Sequence, residues 1–529
     1  MAFDGSPHRL RIDERSDEPA YQQIAAQLQA EIEAGRRAPG ERLPAIRSLA
    51  AELGLHRDTV ALAYEQLGQS GYVEARAGAG TFVRTLRTPV ATGARRDESA
   101  AANAGGTERT EASAAGAAPG RAGDIVLALA PPVERLIALE NTRPRYASGD
   151  DVVALHRLIP DPRLYPVAEF AACFEAALRE EGPALFSYAS PEGDPRLRRA
   201  IAERFRRYGI GAAPEEIVLC HGASQGISLA LRLFTQPGDQ VAVEVPTYAN
   251  VLSALAGHGL SPAAVAMDAE GVDPDALDRV LARPEVKVFY TIPSFHNPLG
   301  TTTSLARRRQ ILEIAARHGV PVVEDGFELD LRFKGQDVAP LAALDEVGLV
   351  VHLYSFSKSL FPGVRVGSLT ARGRVLEGLV ALKHATDLSD ALTLQAALVR
   401  FVESGAFDRH LARIRRVLAA RHAALAAALS TEMPAGTTAT APEGGYQCWV
   451  ELPFEVDTRD LLADAARAGV VFSPGTLFMP DARPSRGMRL SVASVDEAEI
   501  ARGVAALGRV VRERAGRAPG AGRTAGMHL

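Results

Sequence analysis

Apolar positions at helical spacing mark the first element of the chain. Ile24, Leu28 and Ile32 recur every four residues between Pro19 and Gly35, which predicts an amphipathic helix stopped by Pro39-Gly40. A second helical run covers Pro44 to Leu53 and ends at Gly54, and a third spans roughly Arg57 to Gly68. Two short helices meeting at a glycine-containing turn form a helix-turn-helix. After Gly71 the period shortens: Tyr72-Val73-Glu74 turns through Gly78-Ala79-Gly80 into Thr81-Phe82-Val83, a hairpin.

Periodicity then stops. Between about Thr85 and Gly123, Ala, Gly, Thr, Ser and scattered charges replace any apolar spacing. Beyond this stretch, short β-rich runs alternate with amphipathic helices, the pattern of an α/β domain. The resulting division is an α+β unit over residues 17–84, a flexible Ala/Gly-rich linker over 85–145, an α/β unit over 146–514 and a disordered tail over 515–529. No internal repeat is visible.

With 529 residues, 47% of them hydrophobic, the chain can bury two or three cores. Its net charge of −5 gives no global attraction to nucleic acid, so any DNA binding must rest on a local surface. Cys173, Cys220 and Cys448 lie far apart with no metal-ligand spacing, which predicts buried structural thiols in a reducing compartment and no metal site. The first fifteen residues lack the apolar core of a leader, and no later run is long enough to cross a bilayer. A soluble, cytoplasmic protein is expected, with no membrane partner.

In a helix-turn-helix followed by a wing, the third helix enters the major groove with its N-terminal residues on base edges. Here those are His56, Arg57, Asp58 and Thr59, with Arg47 nearby on the second helix and the Gly78 turn near the DNA backbone. Periodicity alone fits equally well a small structural three-helix unit. The residues as written, PGERLPAIRSLAAELGLHRDTVALAYEQLGQSGYVEARAGAGTFV, resemble the winged helix of the GntR family of bacterial regulators. That resemblance implies binding to double-stranded operator DNA. Asp58 departs from it, because an uncharged polar residue is common there and a carboxylate facing phosphates is unfavourable.

The α/β unit offers one conspicuous amine. Of four lysines, Lys287, Lys334 and Lys383 sit in a strand, a polar turn and a helix, whereas Lys358 lies in a loop with Ser355, Ser357 and Arg365. A lysine able to form an imine, hydroxyls and a cation for phosphate, and an acid for a pyridine nitrogen are what pyridoxal 5′-phosphate (PLP) requires. Other strand ends supply the remaining parts. The strand through Cys220 runs into Gly222-Ala223-Ser224-Gln225 at a helix start, a ready anion site. Further strands end at Tyr248, able to stack on a ring, at Asn297, able to donate to a phenolic oxygen, and at Asp325, able to keep a pyridine nitrogen protonated.

This set resembles fold type I PLP enzymes, the aspartate aminotransferase group, over most of residues 150 to 514. The resemblance implies Lys358 as the Schiff base, Asp325 at the pyridine nitrogen, Asn297 at O3′ and Tyr248 as the stacking ring, with Ser224, Gln225, Ser355, Ser357 and Arg365 around the phosphate. It further implies that Tyr188 reaches a neighbouring subunit's phosphate and that Arg489 grips a ligand carboxylate, a task suited to a planar guanidinium. Phe327 departs from it: the group commonly has a tyrosine two positions after the aspartate, and phenylalanine cannot bond to O3′.

A GntR-like winged helix, a long linker and an aminotransferase-like domain together resemble the MocR subfamily of GntR regulators. The resemblance implies a head-to-tail homodimer whose DNA affinity responds to PLP or a small amino compound at the Lys358 imine. Two readings remain beside it: a catalytically active PLP-dependent aminotransferase with a tethered DNA-binding domain, and a non-catalytic PLP scaffold.

Overall fold

The computed structural model describes residues 10, 20–33, 36–38, 40–69, 72–76, 80–83, 128–144, 146 and 151–517. The chain divides into two compact units, residues 1–121 and 122–529.

In the first unit, α1 (Ala20–Glu33), α2 (Ile46–Leu53) and α3 (Arg57–Gln69) precede a hairpin of β1 (Val73–Arg76) and β2 (Gly80–Val83). The four-residue spacing seen in sequence becomes the core: Ile24, Leu28 and Ile32 of α1 bury against Leu49, Val60, Ala63 and Leu67. Gly54 ends α2 at φ 67°, a left-handed C-cap that glycine takes without steric cost. The Tyr64 hydroxyl donates to Pro44 O at 2.9 Å, which fixes the approach to α2. The hairpin also gains a third edge: Gly40 N donates to Val83 O and Leu43 N to Thr81 O, both at 2.8 Å.

The second unit is built on an eight-stranded sheet. In chain order its strands are β3 (Ile217–Cys220), β4 (Gln240–Val245), β5 (Ser261–Asp268), β6 (Gly271–Val272), β7 (Val286–Thr291), β8 (Val322–Asp325), β9 (Val350–Ser355) and β10 (Gly367–Thr370). Their spatial order is β3-β10-β9-β8-β7-β4-β5-β6, and β9, β8, β7, β4 and β5 pair in parallel. The central strands are nearly continuous apolar runs because helices cover both faces. Among those helices are α5 (Ala223–Phe234), α6 (Ala249–Gly257) and α7 (Gly373–Asp387). A smaller sheet, ordered β11 (Thr438–Ala439), β12 (Gln447–Glu451), β14 (Gly487–Ser491) and β13 (Ser473–Pro474), follows in the chain. Among the described residues no helix is long and apolar enough to cross a membrane.

Two boundaries differ from expectation. The stretch assigned to the flexible linker, 85–145, contains α4 (Pro131–Asn141), with Pro131-Pro132 at its first turn. This helix lies on α6, its Leu136 and Pro132 against the bare Cα positions of Gly257 and Gly259. Leu129, Val133 and Ile137 stay exposed, so the apolar positions are split between two faces and read as unpatterned. At the other end, α8 (Glu497–Arg517) carries on past residue 514 into the stretch expected to be disordered.

Candidate functional site

Four neighbouring parallel strands place their C-terminal ends together, which is where ligands bind in open α/β sheets. β8 ends on Asp325, β9 on Ser355, and the chain leaving β4 and β7 carries Tyr248 and Asn297. Lys358 follows β9 by three residues. All five side chains line one cavity of about 130 Å³. Of the other lysines, Lys383 is fully buried between Asp387 and Asp390, and Lys287 is exposed.

At one end of the cavity stand Ser224, Ser355, Ser357 and Arg365, beside the N-terminus of α5. Gly222, at φ 78°, precedes that helix; a Cβ there would lie 3.1 Å from the Arg365 guanidinium, so only glycine admits it. Arg365 sits in the left-handed region at φ 49°, a strain of about 1–3 kcal/mol held where its side chain faces the helix start. The Ser357 hydroxyl is buried and lacks a hydrogen-bond partner among the described residues. Free amides, hydroxyls and a guanidinium at a helix start are a phosphate donor set.

Gln225, expected in that set, is occupied elsewhere. Its Nε2 donates to Asp387 Oδ2 at 2.6 Å and its Oε1 accepts from His221 N at 2.7 Å, so it braces the turn from behind. Asp387, the last residue of α7, and Asp390 just beyond it are themselves held by the buried Lys383 ammonium.

The rings of Tyr248 and Phe327 both line the cavity and are parallel to within 4°, their centroids 6.5 Å apart. Phe327 therefore has a positive role that sequence reading missed: its ring lines the cavity with that of Tyr248. Asp325, which lines the same cavity, is almost fully buried. Its Oδ2 accepts from Tyr290 Oη at 2.6 Å and its Oδ1 from Phe327 N at 3.2 Å. Burial pushes its carboxyl up to about 6, against the pull of those two donors. Among the described residues no salt bridge reaches this carboxyl.

Lys358 borders the cavity and donates to the Leu158 carbonyl. Burial lowers the proton affinity of its amine, Glu328 opposes that shift, Arg489 adds to it and Asp325 opposes it. Glu328, Leu158 and Tyr290 were not singled out from sequence; the only signal for Glu328 is its place three residues after Asp325.

Arg489, on β14, is 8% exposed and, among the described residues, has no carboxylate within salt-bridge reach. It is held by neutral acceptors: Asn297 Oδ1 at 3.0 Å, His156 O at 2.9 Å and Ser473 Oγ at 3.1 Å. Its Nε is unpartnered among the described residues, and burial lowers its proton affinity. By accepting from Arg489, the Asn297 amide turns its nitrogen free for another acceptor. Tyr146 stacks on the His156 ring at 4.0 Å, so the segment after α4 joins this wall.

The donor set, the two parallel rings and the buried Asp325 fit PLP. Tyr188, by contrast, lies 83% exposed and away from the cavity. In the first unit, His56 and Arg57 are exposed at the start of α3, and Thr59 is half-buried. The side chains of Arg47 and Asp58, and Gly78 altogether, lie outside the described residues. Cys220 and Cys448 are buried, with thiols pushed up to about 12 and about 11 by burial, while Cys173 is only half-buried.

Comparison with known proteins agrees with both halves. Residues 164–507 match the family Aminotransferase class I and II, and residues 20–83 match Bacterial regulatory proteins, gntR family. The probable rhizopine catabolism regulatory protein MocR of Rhizobium meliloti is 29% identical over 501 residues, 94% of this chain and 95% of that protein. The HTH-type transcriptional regulator TauR of Rhodobacter capsulatus is 32% identical over 492 residues, 91% of this chain and 94% of that protein. Among solved structures, the multiple substrate aminotransferase of Thermococcus profundus superposes with a TM-score of 0.67 at 31% identity, covering 74% of this chain and 97% of that one. A winged helix that binds DNA and a PLP-dependent aminotransferase fold thus share one polypeptide, and the chain belongs to the MocR subfamily of GntR-type transcription regulators.

Proposed function

We propose that the chain regulates transcription in response to PLP or a small amino compound bound through Lys358. The observation that carries this reading is one cavity bordered by an amine, a buried acid and two parallel aromatic rings, with a buried arginine alongside that has no counter-ion among the described residues. When bound, PLP supplies an aldehyde that joins amines reversibly and a ring that withdraws electrons. Lys358 offers the amine. Asp325 holds a proton at the pyridine nitrogen, Asn297 donates to O3′, and Tyr248 with Phe327 fixes the ring plane. Ser224, Ser355, Ser357 and Arg365 bind the phosphate, and Arg489 receives a carboxylate.

Arg489 trades its neutral acceptors for an anion only when a carboxylate ligand arrives, so the wall made by His156, Ser473 and Tyr146 differs between empty and filled forms. Such a difference is what a ligand needs to shift a conformational equilibrium, and it bounds the shift. A head-to-tail homodimer, with the exposed Tyr188 offered to the second copy, would present two winged helices to an operator. In each, the DNA-binding set is His56, Arg57, Asp58 and Thr59 for base edges, with Arg47 and Gly78 assigned to it from the sequence. We place the protein in the cytoplasm.

Footprinting of the chain's own upstream DNA, with and without PLP and a panel of amino acids, tests the proposal. Protected DNA whose protection changes with ligand supports it, together with a yellow band near about 420 nm. The second reading, a working aminotransferase, draws on the retained Lys358, Asp325 and Arg489. Rapid steady turnover of an amino acid and a keto acid, without DNA binding, would establish it instead.

A further inference from the structure

Next to the turn that opens α5 lies a buried charge cluster that binds no part of the cofactor. Lys383, near the end of α7, is fully buried. Its ammonium donates to both oxygens of Asp387 at 3.0 Å, one helical turn on, and to Asp390 Oδ1 at 2.9 Å. Gln395, from the helix Leu392–Glu403, donates to Asp390 Oδ2 at 3.2 Å, and its Oε1 accepts from Asp194 N at 2.7 Å. Every carboxylate oxygen of the pair thus has a donor.

The same two carboxylates hold the turn. Asp387 Oδ2 accepts from Gln225 Nε2 at 2.6 Å, while His221 Nε2 lies 3.1 Å from Asp390 Oδ1 and 3.5 Å from Asp387 Oδ2. His221 is held again through its amide, which donates to Gln225 Oε1 at 2.7 Å. Its carbonyl accepts from Arg365 Nη2 at 2.5 Å, the one side-chain hydrogen bond of Arg365 among the described residues. Farther along, Leu233 of α5 sits over the bare Cα of Gly378, where a Cβ would lie 2.6 Å from it, so α7 packs along α5 as well as being tied to its start. The cluster therefore reaches the phosphate donors by two paths: Asp387 to Gln225 in the first turn of α5, and Asp390 through His221 to the Arg365 guanidinium.

Burying an ammonium with two carboxylates gains little stability over apolar packing, whereas their fixed directions can specify one arrangement of what they hold. We propose that Lys383 is a positioning residue for the phosphate: by holding Asp387 and Asp390 it fixes His221, and with it the Arg365 guanidinium and the free amides that open α5. Lys383 itself does not line the cavity. This inference rests on the assignment of that end of the cavity to the phosphate of PLP.

A pair of ligands separates positioning from packing. PLP and 5′-deoxypyridoxal share the ring and the aldehyde, and only PLP carries a phosphate. Full-length protein freed of cofactor is titrated with each, and the band near about 420 nm reads binding. The unmodified chain should prefer PLP, by a factor that gauges the phosphate end. Lys383→Met should weaken PLP by about tenfold or more and 5′-deoxypyridoxal by less than about twofold, because the ring and aldehyde contacts are untouched. Equal weakening of both ligands in folded Lys383→Met protein overturns the proposal, since a merely structural lysine loosens the whole cavity; so does unchanged PLP binding. Should that variant not fold, His221→Ala serves instead. It leaves the buried cluster intact, cuts a tie to the turn, and should weaken PLP alone by about threefold or more. An unchanged preference for PLP in that variant overturns the proposal. Equal affinity of the unmodified chain for the two ligands defeats the phosphate assignment itself, an outcome distinct from a preference that Lys383 does not control.

Discussion

Asp325→Asn should make the empty protein more stable and the cofactor-loaded protein weaker. In the folded chain without PLP, burial raises the Asp325 carboxyl from an ordinary 3.8 to about 6. A raised folded pKa means that the ionised form is the strained one. The associated stability is fully present below about 3.8 and is lost as pH climbs through about 6. That difference corresponds to about 3 kcal/mol above neutrality and to about half as much near pH 5. Asparagine keeps the shape and an acceptor for Tyr290 Oη without the charge. The assay is urea unfolding followed by Trp449, the single tryptophan of the chain, whose place on β12 makes it report on the second unit alone. Asp325→Asn should raise the stability of that unit by about 3 kcal/mol near pH 8 and by about half that near pH 5. PLP affinity should fall at least tenfold, or about 1.4 kcal/mol, because the acid facing the pyridine nitrogen is gone. A variant that is destabilised, or stabilised equally at both pH values, would refute the claim that Asp325 is held strained until a cation reaches it.

Other substitutions probe the remaining parts. Arg489→Met should keep the yellow colour but abolish the spectral response to amino acids, while the response to the matching amines without a carboxylate survives, as a paired absorbance titration would show. Glu244 is fully buried, accepts from Thr291 Oγ1 at 2.6 Å and from Ile292 N at 3.0 Å, and lies 3.0 Å from His296 Nε2, so it ties the Tyr248 and Asn297 loops together. Glu244→Gln should cost about 1–3 kcal/mol in the Trp449 transition and weaken PLP binding. Leu28→Ala, in the winged-helix core, should cost about 2–5 kcal/mol there and abolish a gel shift of upstream DNA, leaving the Trp449 transition unmoved.

The winged helix was legible because its signals are local: a four-residue apolar spacing, a glycine at a C-cap and a short hairpin each act within a few positions. Lys358, Asp325, Asn297 and Tyr248 were legible for a related reason, since each stands at or just beyond the end of a recognisable strand. What escaped depended on long-range packing. Gln225 looks like a phosphate ligand beside Ser224, yet Asp387, 162 residues away, claims its amide. Phe327 looks like a lost hydroxyl until its ring is seen parallel to Tyr248. Tyr290 reads as core because nothing local pairs it with Asp325, 35 residues on. Helix α4 was hidden by a low-complexity neighbourhood and by apolar residues shared between a packed and an exposed face.

The parallel pair of Tyr248 and Phe327 has an optical consequence. A ring free in water tumbles and shows no handed absorption, but one held in a cavity lined by two aromatic rings takes a single orientation in an asymmetric surrounding. Loading the protein should therefore give visible circular dichroism from the cofactor, and its sign and strength form a gauge of ring tilt. Any ligand that tilts the ring in the cavity would be seen directly, before any change at DNA.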